Sequence, residues 1–142
     1  MGKPQQVERL AMAFLVNALE NDEINVAYPT FDSGIDFVAY RTSEAGQFDA
    51  VPVQLKSSTK KGFYTNRKYL QIPDLKIIYM WHVDNDLTDV RSFCMLYRFA
   101  EQIVDQQERS RKDGAYFTQG SQRLEDALLP HEVNNWNEAL FG

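Results

Sequence analysis

Two stretches decide how this chain folds: Gly34-Ile35-Asp36-Phe37-Val38-Ala39-Tyr40 and Val51-Pro52-Val53-Gln54-Leu55-Lys56. Each is a short apolar run with polar residues at strand-like positions, and turn residues at 42–46 separate the two. Successive side chains of an extended chain point to opposite faces, so Val51, Val53 and Leu55 share one face and Gln54 and Lys56 the other. Asp36 interrupts Ile35, Phe37, Val38 and Ala39, where a carboxylate must be paired, bound to a metal, or turned to solvent at the strand end. A carboxylate on one strand, with an amide oxygen and an amine two residues apart on the next, suits a divalent metal that also touches a phosphate. In that reading Asp36 binds the ion, Gln54 completes its shell, and Lys56 steadies the attacking water or the developing charge.

These residues resemble the signature of the PD-(D/E)XK nuclease superfamily, an Asp on one strand and (Asp/Glu)-x-Lys on the next. Asp36 and Gln54-Leu55-Lys56 are the matching positions, with Gln in place of the acid, a variant that some restriction-like and homing-type members show. The resemblance covers roughly the first half of the chain. It implies an α/β (α+β) fold with a restriction endonuclease-like core: a central mixed β-sheet of about five strands flanked by helices. It also implies Mg²⁺ or Mn²⁺ as cofactor and endonucleolytic hydrolysis of phosphodiester bonds in DNA. An upstream helical Glu, as in Holliday junction resolvase-like members, offsets the charge lost at Gln54, and Glu8 is the candidate. The implied catalytic set is therefore Asp36, Gln54, Lys56 and Glu8, with Asp36, Gln54 and Glu8 as the metal ligands.

The length of 142 residues gives one domain, 1–142, large enough for its own core. No apolar run approaches eighteen residues, which excludes a membrane span, and the polar start from Gly2 to Gln6 lacks the order of a signal peptide. A cytoplasmic location is expected. The single cysteine, Cys94, lies in the apolar run Phe93-Cys94-Met95-Leu96 and reads as a core thiol rather than a nucleophile.

A net charge of −5 argues against a generic polyanion binder, but the charges are unevenly spread. From Ala50 to Pro73 there is no Asp or Glu, while Lys56, Lys60, Lys61, Arg67 and Lys68 fall there among Phe63, Tyr64 and Tyr69. A basic, aromatic segment directly after the candidate lysine is what phosphate contact and base stacking require. Lys60, Lys61, Arg67, Lys68 and Tyr64 are the expected nucleic-acid contacts; the plain alternative is a solvated loop.

Residues 5–20 form the clearest helix, with Val7, Leu10, Ala11, Phe14, Leu15 and Ala18 at helical spacing. A turn of about 100° per residue places Glu8 inside the apolar arc, between Leu15 and Leu19, pointing to the core. The alternative is a first-turn carboxylate favoured by the helix dipole and escaping to the rim. Strands are expected at 24–31, weakened by Pro29, at 34–40, and at 48–57, where Pro52 requires an unpaired edge or a bulge. Asp49 points away from Gln54 and stays outside the site.

Residues 57–62 read as a flexible, substrate-contacting loop, continued by residues 66–70 or by a helical turn there. Residues 75–83 read as a fully buried central strand, 91–97 as the next strand, and 99–109 as a second helix. Residues 108–113 are a charged stretch, 115–118 at most an edge strand, and Ser121 caps a helix ending before Pro130. In residues 133–141, Trp136, Leu140 and Phe141 recur at helical spacing and cover either the core or a partner subunit, as in a homodimer. His82 beside Asp84 reads as a structural histidine rather than a metal pair.

There is no glycine-rich phosphate loop, no GxSxG and no zinc-type Cys/His spacing. Two further readings stand beside the nuclease. One is a non-catalytic nucleic-acid-binding or protein-interaction module that keeps the fold with a weakened metal site. The other is a structural protein in which Asp36 and Lys56 pair directly and no cleft forms.

Overall fold

The first helix, α1 (Pro4–Asn21), forms because Val7, Ala11, Leu15 and Leu19 recur every four residues and bury one ridge. In the computed structural model, which describes residues 4–107 and 114–142, α1 leads into β1 (Asn25–Ala27), β2 (Phe37–Thr42) and β3 (Phe48–Ser57). There follow β4 (Gly62–Asn66), a 3₁₀ turn (Arg67–Gln71), β5 (Lys76–Trp81), β6 (Arg91–Leu96) and α2 (Tyr97–Gln107). The chain ends with β7 (Ala115–Gln119), α3 (Gln122–Leu128), a second 3₁₀ turn (Leu129–His131) and α4 (Trp136–Phe141). Five strands build a mixed sheet in the order β1-β2-β3-β5-β6, antiparallel except at β3–β5, and four helices flank it in an α+β arrangement. Among the described residues no helix is long and apolar enough to cross a membrane.

β5 is the spine. Ile77, Ile78, Tyr79, Met80 and Trp81 are all fully buried, so both faces of this strand need cover. Ile78 and Met80 join α1, Phe37, Val51 and Val53 on one face, while Ile77, Tyr79 and Trp81 join Phe63, Met95, Ile103 and Leu128 on the other. Cys94 is buried against the first core, and burial pushes its thiol pKa up to about 12, which leaves it inert at neutral pH. Pro52 costs nothing because the β3–β5 ladder begins one residue later, at Val53–Lys76, while Pro52 itself pairs with Val38 on β2.

Between the expected loop at 57–62 and the turn at 67–71, residues 62–66 add a strand. They form β4, paired with β7 in a separate two-stranded sheet. The other edge of β4 is satisfied by aromatic side chains of the second core. Trp81 Nε1 donates to Gly62 C=O at 3.0 Å, Tyr79 Oη to Tyr64 C=O at 2.7 Å, and Asn66 N–H donates to Tyr97 Oη at 2.9 Å. Three alternate residues thus hang on three buried rings, which supply the partners that a neighbouring strand would otherwise give. A further clamp joins the arm to the C-terminal helices: Lys61 Nζ lies 2.6 Å from Glu125, which also pairs with Arg91, itself bonded to Glu132.

β1 is only three residues long, since the following Tyr28-Pro29-Thr30 leaves the sheet and the chain turns through Asp32-Ser33-Gly34. Ser121 caps α3 by accepting from Leu124 N–H, as its position before the helix predicts. The tail forms α4, with Leu140, Trp136 and Phe141 packed on the first core, so these residues serve the core of their own chain. The charged stretch 108–113, and the part of the expected second helix that runs into it, lie outside the described residues.

Tyr79→Phe should lower unfolding free energy by about 1–3 kcal/mol by leaving the Tyr64 carbonyl unpaired. Urea melts would measure this, and hydrogen exchange should show β4 amides losing protection before those of β5.

Candidate functional site

The β2–β3 ladder ends at the Phe37–Val53 pair, and one residue earlier Asp36 N–H still donates to Val53 C=O at 2.8 Å. Beyond that point a side chain replaces the backbone: Leu55 N–H donates to Asp36 Oδ2 at 2.7 Å. Continuing the register sets Asp36 opposite Gln54, with Lys56 two residues on along the same face. Asp36, Gln54 and Lys56 thereby line one cleft of about 260 Å³, together with Glu8, Gly34 and Tyr69. The convergence expected from strand alternation is present.

Gln54 is only 3% exposed, and its Nε2 donates to Gly34 C=O at 2.9 Å. That bond fixes the amide orientation, because the opposite one would set two oxygens against each other. Oε1 is left in the cleft wall, buried and, among the described residues, without a hydrogen-bond partner. Gly34 is held in turn from its other side. Its φ is +90°, and a Cβ there would stand 2.3 Å from Tyr69 Cε1, so the tyrosine ring lies directly on the glycine. Tyr69 thus backs Gly34, whose carbonyl orients Gln54.

Asp36 keeps one side open to solvent but is crowded on the other, and this desolvation raises its pKa above the usual 3.8. The Leu55 N–H and the charge of Lys56 pull it down; Asp32 and Glu8 push it up. Lys56 is not salt-bridged to Asp36. Its Nζ lies 4.9 Å from the centroid of the Tyr64 ring, so the direct Asp36–Lys56 pair of the plain structural reading is absent.

Glu8 is exposed at the cleft mouth rather than turned to the core, which corrects the reading from its helical angle. The buried ridge of α1 runs through Val7, Ala11, Leu15 and Leu19. Glu8 lies on the next ridge with Met12, four residues on, and both line the cleft. Its charge therefore bears on Asp36 from the rim while its carboxylate stays in water.

The basic segment divides. Lys60, Arg67 and Lys68 are exposed, and Lys68 Nζ sits 5.0 Å from the centroid of the Tyr69 ring. Lys61 is half-buried and ion-paired with Glu125. Tyr64 is half-buried beneath Lys56. Asp49 is bound to Arg41 at 3.1 Å, away from the cleft. Among the described residues no group of three or more His, Cys, Asp or Glu is disposed to hold a metal.

Asp32, Gly34 and Tyr69 are site residues that the sequence reading passed over. Asp32 had a signal: in Asp32-Ser33-Gly34 the Gly34 N–H donates back to Asp32 Oδ1 at 3.3 Å, an Asx-type turn. Tyr69 stood out only as an aromatic of the basic segment, because its contact with Gly34 is made only in three dimensions.

No protein-family model matches this chain, and no curated protein does.

Oxygen donors of the kind a hard divalent cation takes line the cleft: Asp36 has Oδ1 free of the Leu55 bond, Gln54 has an oxygen with no hydrogen-bond partner among the described residues, and Glu8 stands at the rim. An orphaned buried amide oxygen costs about 1–3 kcal/mol, which a ligand in the cleft would recover.

Gln54→Glu should test this directly. The new carboxylate would face the Gly34 carbonyl with no donor, so the metal-free protein should melt several degrees lower than wild type. Mg²⁺ should raise its melting temperature more than it raises that of wild type, in a thermal-shift titration. A Gln54→Ala variant should show a smaller Mg²⁺ shift than either.

Proposed function

We propose that this chain is a metal-dependent nuclease hydrolysing phosphodiester bonds in DNA, built on a restriction endonuclease-like core. The observation that carries the reading is the partnerless Gln54 Oε1, buried in the same cleft as Asp36 and Lys56. The order helix, three antiparallel strands, then a strand parallel to the third agrees with the αβββαβ-type core of the PD-(D/E)XK superfamily. It departs from that core in crossing from β3 to β5 through β4 and a 3₁₀ turn rather than a full helix.

Asp36 and Gln54, with Glu8 at the rim, would hold Mg²⁺ or Mn²⁺, which would supply Lewis acidity at the phosphate. Hydrolysis adds water to phosphorus and breaks one P–O ester bond. Lys56 donates hydrogen bonds to the non-bridging phosphate oxygens, where negative charge builds, and orients the incoming water. Its ammonium rests on the Tyr64 ring, a cation–π contact that keeps the charge at the cleft without neutralising it by an ion pair. Asp36 is kept in place by the Leu55 N–H, so its remaining oxygen is aimed rather than free to rotate. Lys60, Arg67 and Lys68 are the exposed cations available to the flanking phosphates.

A second reading is a non-catalytic nucleic-acid-binding or protein-interaction module on the same core. One observation favours it: the described residues bring no three acidic, histidine or cysteine side chains together around an ion.

Incubation with supercoiled plasmid, branched DNA and RNA in Mg²⁺ or Mn²⁺ separates the two. Lys56→Ala should lower cleavage by at least about 100-fold, the scale of a lost transition-state contact, while leaving calorimetric Mg²⁺ binding intact. Wild type that cleaves none of these substrates sinks the hydrolytic reading.

The raised pKa of Asp36 gives a pH signature. Protons compete with the cation for the carboxylate, and a raised pKa means that they win at a higher pH than at an exposed aspartate. Mg²⁺ affinity and cleavage should both fall on acidification while the pH is still above 3.8. Parallel titrations of binding and rate check this.

A further inference from the structure

The pairing of β4 with β7 sets Gly62, Tyr64 and Asn66 opposite Gln119, Phe117 and Ala115. These six residues share the outer face of the arm, since the alternate residues Phe63 and Thr65 are buried. None of the six is acidic, in a chain whose net charge is −5. Phe117 stands at the centre of this face and is 62% exposed. Its ring lies beside Gly62, with Cε2 3.8 Å from where a Cβ would be, an ordinary van der Waals distance.

The face is continuous with the cleft. Phe117 is paired with Tyr64, the Tyr64 ring carries the Lys56 ammonium, and Lys56 lines the cleft beside Asp36 and Gln54. Exposed cations bracket β4, with Lys60 before it and Arg67 after it. An aromatic face edged by positive charge, leading into the cleft, meets the two requirements of single-strand recognition: stacking for bases and cations for the backbone.

We propose that the outer face of the β4–β7 arm is a platform for an unpaired nucleic-acid strand, with a base stacking on Phe117 and its phosphate at Lys56. This rests on the phosphodiesterase reading and narrows its substrate. A base inside a duplex has both faces covered by its neighbours, so the platform accepts a single-stranded, flapped or frayed segment and not intact duplex. The carbonyls and amide that anchor β4 to Trp81, Tyr79 and Tyr97 make the platform rigid, so little ordering accompanies binding.

The test is equilibrium binding in EDTA, where no cleavage can occur, of a short fluorescent oligothymidylate and of a duplex of equal length. Wild type should prefer the single strand. Phe117→Ala should weaken single-strand binding about 5- to 100-fold, the range for one lost stacked base, with duplex binding unchanged. Phe117→Trp should bind the single strand at least as tightly as wild type. Thermal melting of both variants should match wild type, because the ring is exposed. A preference for duplex, or equal single-strand affinity in wild type and Phe117→Ala, overturns the platform. So does the absence of nucleic-acid binding altogether, which would give this face to a protein partner. The two readings fail separately. Phe117-dependent binding without cleavage in Mg²⁺ overturns hydrolysis and upholds the platform, whereas cleavage without Phe117 dependence does the reverse.

Discussion

A strand buried on both faces imposes the architecture. β5 presents Ile78 and Met80 to one side and Ile77, Tyr79 and Trp81 to the other, so neither a single layer of helices nor an open sheet face can satisfy it. One cover is α1, with α4 from the far end of the chain; the other is the β4–β7 arm with α2 and α3. The candidate cleft opens where these covers end, along β3. Glu8 and Met12 reach it from the α1 side, Gly34 and Tyr69 from the other. The site is thus a product of two-sided burial, since removing either cover would leave a wall missing.

Within that frame the cleft begins where backbone pairing stops. Regular ladder bonds run from Thr42–Phe48 to Phe37–Val53, after which the Asp36 carboxylate takes over as acceptor for Leu55 N–H. Substituting a side chain for a carbonyl keeps the amide satisfied and lets the two strands part, which makes room for a ligand. The consequence is local cost: a carboxylate desolvated enough to raise its pKa, and an amide oxygen with no partner among the described residues. Local departures of this kind, in a sheet otherwise regular and well packed, concentrate at sites that act on something else.

How much of this the sequence disclosed follows from which interactions are periodic. The i, i+4 ridge of α1 and the continuous apolar run of β5 are one-dimensional patterns, and both are where periodicity puts them. The common face of Asp36, Gln54 and Lys56 is also periodic, and so it was legible. The β4–β7 pairing was not, because Gly62-Phe63-Tyr64-Thr65-Asn66 is short and half polar, and its partner lies beyond β5, β6 and α2. Glu8 fell between the two cases. A helical wheel fixes its angle to Leu15 and Leu19 but not which part of the apolar arc meets the sheet, and the sheet meets the ridge beside it. Lys61 looked like its basic neighbours until α3 brought Glu125 to it.

The glutamine at position 54 is the residue that the resemblance treats as a defect, and its surroundings give it a positive reason. Gly34 C=O needs a donor there, and the cleft has an acceptor there; a carboxamide is both, whereas a carboxylate can only accept. Gly34 cannot withdraw its carbonyl, because Tyr69 closes the space behind it and φ is already +90°. Charge points the same way. Asp32 and Glu8 already push the Asp36 pKa upward, and a second carboxylate at a position 3% exposed would add like charge where solvent cannot screen it. An acid at position 54 would therefore need the Asp32–Gly34 turn rebuilt, or Glu8 removed from the rim. The amide at 54 therefore keeps a second negative charge out of the buried wall, while the carboxylate of Glu8 stands at the mouth, exposed to water.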